Sequence, residues 1–91
     1  SEVEAVLYKL PQVVEAAAIG VPDAQWGERV VAVVVLGQGE SLDFETLVAH
    51  CAQHLARFKL PKELRIVDAL PRNPSGKVLK RTLRETFRSA G

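Results

Sequence analysis

Residues 30–36 have the sequence VVAVVVL and carry no polar side chain. A half-buried strand alternates apolar and polar residues, whereas an unbroken run of β-branched and small residues indicates a strand that is covered on both faces. We therefore predict that this segment is the central strand of a sheet with helices packed over it. In a chain of 91 residues, such a strand leaves room for one thin core and no deep pocket.

The chain before this strand is predicted to form one helix and one strand. Ser1 and Glu4 have the spacing of a capping box, and apolar residues then recur at helical intervals until Pro11. The small, apolar residues 13–21 favour a strand that ends at Pro22. Because the chain opens directly on a helix cap, we expect it to be a fragment cut at a domain boundary.

The chain after the central strand is predicted to form two helices and a third strand. Asp43 can cap a helix whose apolar stripe consists of Phe44, Leu47, Val48, Cys51 and Leu55. Residues 63–67 favour a strand, and residues 71–76 are too rich in proline and turn formers for regular structure. A final helix follows, with Leu79, Leu83 and Phe87 on its apolar face. The order α-β-β-α-β-α predicts an α+β domain with a small sheet of about three strands covered by helices.

Charge is distributed unevenly along the chain, although the formal net charge is only +1. Residues 1–56 carry two basic side chains against eight acidic ones, a net charge of −6, and residues 57–91 carry ten against three, a net charge of +7. Such asymmetry usually places one end against an anionic partner. Nucleic acid is one alternative, because basic residues crowd the predicted last helix, namely Lys77, Lys80, Arg81, Arg84 and Arg88, but this helix lacks stacking aromatic residues apart from Phe87.

Neither a membrane span nor a metal site is predicted. The longest apolar run, residues 30–36, is far too short to cross a bilayer. The lone Cys51 has no disulfide partner, and His50 and His54 have the spacing of a zinc pair without further histidines to complete a site. We therefore expect a soluble, cytoplasmic protein with no metal bound to this chain.

A lysine in the last loop is the first candidate for chemistry. Lys77 follows Ser75 and Gly76 and is expected near the first position of the final helix, where the helix dipole opposes a cation. On a glycine-hinged loop it can neutralise carboxylate or phosphate oxygens during a group transfer, although exposed lysines are common on any surface. A P-loop is excluded, because Pro71 and Val78 stand where that motif needs glycine and a hydroxyl residue.

Two aromatic residues in the other loops are further candidates. Trp26, the single tryptophan, lies in a polar loop, and Phe58 lies in a short link between basic residues. Each ring either packs on its own domain or offers a flat apolar surface to a ligand or partner. The residue pattern leaves both alternatives open.

Three segments together resemble a known family. They are DAQWGE at 23–28, FKLPK at 58–62 and LPRNPSGKVLKR at 70–81. In type and order they are similar to the C-terminal domain of the adenylate-forming enzymes, which include acyl-CoA synthetases, luciferases and peptide-synthetase adenylation domains. The form FKLPK resembles the acid:CoA ligases, whereas peptide-synthetase domains usually have YMVP there and NGKVDR later. The resemblance covers essentially the whole chain.

The resemblance implies a two-step reaction and a role for each candidate. A carboxylate attacks the α-phosphate of Mg²⁺-ATP to give an acyl adenylate, and after the domain swings on a hinge the CoA thiol displaces AMP. Lys77, supported by Ser75 and Gly76, would contact the carboxylate and the nucleotide in the first step. The CoA-binding surface would include Trp26, Phe58 and Lys59, with the neighbouring cations Arg57 and Lys62 available to the CoA phosphates.

The resemblance also indicates which parts of such an enzyme this chain lacks. Residues 1–91 correspond to a single domain, the mobile C-terminal lid, and neither the large N-terminal nucleotide and acyl domain nor the hinge is present. We expect the chain alone to have no ligase activity and to hold no ATP, Mg²⁺ or CoA tightly. Its expected partners are its own N-terminal domain, a carboxylic acid, ATP and CoA. Three alternatives stay open: a peptide-synthetase adenylation domain, an acyl-carrier-protein ligase and a non-catalytic interaction module.

Overall fold

The structure, a computed structural model, describes residues 1–88, so the last three residues of the predicted domain lie outside it. Its three strands are β1 (Val13–Asp23), β2 (Gly27–Leu36) and β3 (Glu63–Ile66). They form one mixed sheet in the order β1-β2-β3, in which β1 is antiparallel to β2 and β3 is parallel to it. The prediction that residues 30–36 form the central strand is confirmed.

Within residues 1–88, three α-helices and one 3₁₀ turn accompany the sheet. They are α1 (Glu2–Leu7), α2 (Phe44–Ala52), the 3₁₀ turn (Arg57–Lys59) and α3 (Lys80–Phe87). The predicted α+β class and the order α-β-β-α-β-α are confirmed. At the start of α1, Ser1 Oγ accepts a hydrogen bond from the Glu4 amide at 3.2 Å, as the capping box requires. Asp43 Oδ1 caps α2 in the same way by accepting from the Thr46 amide at 2.8 Å.

The two faces of β2 are buried in two separate hydrophobic clusters. Ala32 and Val34 pack in the cluster that contains the apolar sides of α1 and α2. Val31 and Val33 pack in the other, together with β1 residues and with Leu83 of α3. All four strand residues are fully buried. Both faces of the strand therefore need apolar side chains, which explains the absence of alternation in its sequence.

Several predicted element boundaries are wrong by one to three residues, among them the start of β2, which is Gly27, and the end of β3, which is Ile66. α1 ends at Leu7, and turns fill the interval before Pro11. β1 continues through Pro22 and ends at Asp23. Proline lacks the N–H that a central strand needs, but β1 lies at the edge of the sheet, where that donor is dispensable.

Two large apolar residues, Phe44 and Ile66, are exposed. The sequence predicts Phe44 in the apolar stripe of α2, yet its side chain is 40% exposed, and Leu42, just before the helix, is buried instead. Ile66 is 52% exposed. It is the last residue of β3, a four-residue edge strand with a neighbour on one side only.

Part of the uneven charge is neutralised within the domain. In the described part of the chain, three ion pairs join the acidic first part to the basic last third, namely Lys59 with Glu2, Arg72 with Glu15, and Lys80 with Glu4. Each pair connects an element that follows residue 56 to α1 or β1. Among the residues that the structure describes, fewer cations are therefore left without an ion-pair partner than the sequence count indicates.

Candidate functional site

Lys77 lies in a small hairpin rather than at the start of a helix. Arg72 and Val78 form an isolated antiparallel bridge, and the Asn73 amide donates to the Lys77 carbonyl at 3.0 Å. α3 begins at Lys80, so Lys77 precedes it by three residues. The predicted loop at residues 71–76 is confirmed, because a single isolated bridge is its only strand pairing within the described residues. The prediction that Lys77 lies near the first position of the final helix is wrong.

Asn73 organises the turn that carries Lys77. Its Oδ1 accepts hydrogen bonds from the Ser75 amide at 3.0 Å, the Ser75 hydroxyl at 2.7 Å and the Lys77 amide at 2.9 Å. Gly76 closes the turn with a φ of 90°, a conformation that residues with a Cβ rarely adopt. The backbone of Lys77 is thus held in place by a local network.

Arg72 tethers this turn to the sheet. Its Nη1 donates to the Gly76 carbonyl at 2.7 Å, and its Nη2 forms an ion pair with Glu15 of β1. The Lys77 side chain is exposed, and among residues 1–88 no carboxylate lies within 4.0 Å of its ammonium group. The turn therefore presents an unneutralised cation on a fixed backbone.

Neither Asn73 nor Arg72 was singled out from the sequence. Asn73 precedes a proline, and an asparagine in that context commonly bonds the backbone two residues on, which is a signal for the turn. The contacts of Arg72 carry no sequence signal, because Glu15 lies 57 positions away.

Trp26 and Phe58 line one open cavity, although they are far apart in the sequence. The cavity has a volume of about 560 Å³, and its other lining residues are Arg57 and Lys62. The rings are 57% and 79% exposed. Lys62 Nζ lies 4.7 Å from the centroid of the Trp26 ring, within cation–π distance. Two exposed aromatic rings with two cations form a surface suited to a flat, anionic ligand.

Lys59, the third residue predicted for this surface, does not line the cavity. Its ammonium group is paired with Glu2 of α1 and lies 5.6 Å from the centroid of the Phe58 ring. Lys59 therefore connects the 3₁₀ turn to the first helix in this structure.

The turn that carries Trp26 is fixed by Asp23. Asp23 Oδ1 accepts hydrogen bonds from the amides of Gln25 at 2.8 Å and Trp26 at 2.9 Å, and these bonds lower the pKa of the Asp23 carboxyl. Gly27, with a φ of 80°, completes the turn into β2. A carboxylate thus accepts a hydrogen bond from the Trp26 amide, as the Asn73 side chain does from the Lys77 amide.

Two residues considered as metal ligands, His50 and Cys51, are part of the domain's own packing. His50 Nε2 lies 2.8 Å from the Val6 carbonyl oxygen, which ties α2 to α1, and Cys51 is buried, which raises the pKa of its thiol. Within residues 1–88 no group of three or more His, Cys, Asp or Glu side chains is arranged to hold a metal ion. In that same part of the chain, no helix has the length and hydropathy to cross a membrane.

The geometry defines a small α+β domain with an exposed lysine on a built turn and a separate aromatic and cationic surface. The family model described as the AMP-binding enzyme C-terminal domain matches residues 2–77, which is most of the chain. The chain belongs to this family. The match ends at Lys77.

Individual relatives agree with this assignment. The chain is 46% identical over 87 residues to the long-chain-fatty-acid–CoA ligase FadD13 of Mycobacterium tuberculosis, covering 96% of this chain and 17% of that protein. It is 52% identical over 85 residues to a methyl-dioxo-octahydroindenyl-propanoyl:CoA ligase of Rhodococcus jostii, covering 93% of this chain and 16% of that protein. The apo structure of MatB from Rhodopseudomonas palustris matches with a TM-score of 0.94 at 46% identity, covering 98% of this chain and 18% of that one. The chain thus spans less than a fifth of the length of these relatives.

Proposed function

We propose that this chain is the C-terminal domain of an AMP-forming acid:CoA ligase and acts as a lid on a larger N-terminal domain. The family membership supports this proposal, as do the two sequence relatives named as CoA ligases, of which the chain covers 17% and 16%. One observation carries the assignment of its chemistry: the Lys77 cation is exposed on a turn whose backbone is held by Asn73.

In the first half-reaction, Lys77 lowers the repulsion between two anions. A carboxylate oxygen attacks the α-phosphorus of Mg²⁺-ATP, a new P–O bond forms, and the bond to pyrophosphate breaks with its electron pair on the leaving group. An ammonium group about 4 Å from one of these charges contributes about 4 kcal/mol at an effective dielectric constant near 20. That energy corresponds to an increase in the rate of adenylate formation of about 10³-fold. A fixed backbone directs the flexible side chain to this position and so limits the entropy cost.

In the second half-reaction, the aromatic surface binds CoA. The adenine ring of CoA stacks on Trp26 or Phe58, and Arg57 and Lys62 bind the CoA phosphates. The CoA sulfur, as thiolate, then attacks the acyl carbonyl, and AMP leaves with the electron pair of the bond between the carbonyl carbon and the phosphate oxygen. No residue of the Lys77 turn lines the cavity. Two distinct surfaces on one domain suit a reaction in which the lid presents one surface for each step.

Complementation tests this proposal. A separately produced N-terminal domain of a related acid:CoA ligase is mixed with this chain, and pyrophosphate release is measured with its acid and ATP. We expect each protein alone to be nearly inactive and the mixture to release pyrophosphate in proportion to the chain added. Turnover by the chain alone contradicts the assignment of a lid. Salt-dependent binding to generic DNA without complementation favours the nucleic-acid alternative instead.

A further inference from the structure

Arg29 is the one charged residue in the buried core of residues 1–88. It lies on β2 opposite Val21 of β1, and only 8% of its surface is exposed. Removing a guanidinium group from water costs several kcal/mol unless its N–H groups find acceptors. Such a residue therefore indicates a specific arrangement of acceptors around it.

The acceptors of Arg29 belong to two different elements. On one side its Nη1 donates to the Pro22 carbonyl at 3.2 Å and lies 3.6 Å from Asp23 Oδ2. On the other side its Nε donates to Glu63 Oε1 at 3.0 Å. One planar group thus joins the end of β1 to the start of β3, with β2 between them.

The contacts with Asp23 and Glu63 each connect Arg29 to one wall of the Trp26 cavity. Asp23 contacts Arg29 through Oδ2 and holds the Trp26 amide through Oδ1 at 2.9 Å. Glu63 follows Lys62, whose ammonium group lies over the Trp26 ring and whose amide donates to the Val30 carbonyl at 2.8 Å. The Arg29 side chain is not among the residues that line the cavity.

We propose that Arg29 is a positioning residue that sets the spacing between the Trp26 turn and the segment carrying Phe58 and Lys62, and thereby sets the affinity for CoA. This inference rests on the proposed function, in which the cavity takes CoA. The guanidinium fork is needed because it reaches acceptors in two directions at once, whereas a lysine ammonium is a point charge. Arg29 acts on the ligand only through the two walls.

The chain offers a matched control for this arginine. Arg65 Nε pairs with Glu63 Oε2, the other oxygen of the same carboxylate, but Arg65 makes no contact with Pro22 or Asp23. Arg29→Gln and Arg65→Gln each remove one ion pair from Glu63. Only the first disconnects the Trp26 turn.

The first measurement needs no ligand. Because Lys62 lies over the Trp26 ring, its terminal methylene protons experience the ring current, and their NMR shift reports the spacing of the two walls. We expect Arg29→Gln and Arg29→Lys to abolish the ring-current shift of the Lys62 protons and Arg65→Gln to preserve it. A wild-type shift in Arg29→Lys contradicts the need for the fork and overturns the inference, even if Arg29→Gln fails to fold.

The second measurement uses the full-length ligase that carries this domain. We expect Arg29→Gln, or Arg29→Lys where the glutamine variant is unstable, to raise the KM for CoA about tenfold in thioester formation, which corresponds to about 1.4 kcal/mol. Adenylate formation should change by less than about twofold, since no catalytic group is removed. If Trp26→Ala raises the KM for CoA but the Arg29 variant leaves it unchanged, the inference is overturned. If Trp26→Ala has no effect on KM but Arg29→Gln still abolishes the Lys62 shift, the CoA assignment fails and the positioning role stands.

Discussion

Lys80 Nζ lies 2.7 Å from Glu4 Oε2, and this ion pair joins the first helix to the helix that follows the Lys77 turn. The same carboxylate oxygen accepts a hydrogen bond from the Ala18 amide of β1 at 2.9 Å. Burial raises the pKa of the Glu4 carboxyl, but the hydrogen bonds from Lys80 and Ala18 outweigh it and lower the pKa from 4.5 to about 2. Glu4 therefore connects α1, β1 and α3.

This carboxylate predicts a pH dependence of stability. A folded-state pKa below the unfolded value stabilises the fold above about pH 4.5, and the contribution is lost as pH falls toward about pH 2. Glu4→Gln should reduce the free energy of unfolding by about 1–2 kcal/mol at pH 7. At pH 2 the difference between variant and wild type should be nearly abolished. Urea unfolding at the two pH values measures both quantities.

An exposed ion pair on α3 supplies the control for this prediction. Arg81 Nε lies 3.5 Å from Glu85 Oε1, and the two side chains are 91% and 64% exposed, respectively. Glu85→Gln should change the free energy of unfolding by less than about 0.5 kcal/mol at pH 7. If Glu85→Gln reduces the free energy of unfolding as much as Glu4→Gln does, the role of the Glu4 carboxylate is contradicted. The same holds if the effect of Glu4→Gln persists at pH 2.

Replacing Gly76 tests the conformation of the Lys77 turn. Its φ of 90° is unfavourable for any side chain with a Cβ, even though the space around it is open. Gly76→Ala should cost about 1–2 kcal/mol of stability or distort the turn to relieve the strain. Gly37→Ala is the control, because Gly37 has no positive φ and its new Cβ meets the Glu40 side chain, the Val14 side chain and the Gln12 carbonyl oxygen at 3.4, 3.7 and 3.9 Å. Thermal unfolding of both variants measures the difference, and equal effects would refute the account of the turn.

Replacing Asn73 tests the hydrogen-bond network beneath Lys77. Asn73→Ala removes the acceptor of three hydrogen bonds, so the amides of Ser75 and Lys77 lose a partner. We expect their hydrogen exchange to accelerate about tenfold or more, as the loss of about 1.4 kcal/mol of local stability predicts. Asn73→Asp keeps an acceptor in the same place and should restore slow exchange. Equal exchange in wild type and Asn73→Ala would show that Asn73 does not organise the turn.

The aromatic surface predicts a selective defect in thioester formation. In a full-length ligase, Trp26→Ala should raise the KM for CoA about 10- to 100-fold, as the loss of one stacked base predicts. The rate of adenylate formation should be unaffected. Phe44→Ala removes another exposed ring that does not line the cavity and serves as the control. Parallel losses in both half-reactions, or the same KM in both variants, would argue against a CoA site here.

The fold could be predicted from the sequence because its central strand is unusual. A run of valines without alternation has few alternatives to a doubly covered strand, and the flanking caps at Ser1 and Asp43 fix where helices begin. Boundaries were less predictable, since β1 continues through Pro22 only because the strand lies at the sheet edge. Edge position is a property of the sheet and is not visible in the local sequence.

The candidate site was predictable only in part, for a similar reason. Local sequence indicated a loop around Lys77, and the resemblance indicated Trp26 and Phe58, which the structure brings to one cavity. Residues that act through distant partners were missed. Arg29 resembles an ordinary exposed charge until the sheet brings Glu63, 34 positions away, within 3.0 Å of it.

The rates of the two half-reactions in Lys77→Ala test the central claim most directly. In a full-length ligase that carries this domain, pyrophosphate release should fall by about 10³, whereas thioester formation from supplied acyl adenylate should change by less than about threefold. Lys9→Ala, at an exposed lysine in the turn that follows α1, should leave both rates unchanged. Equal losses in both half-reactions, or wild-type pyrophosphate release, would contradict the assignment of Lys77 to the adenylation step.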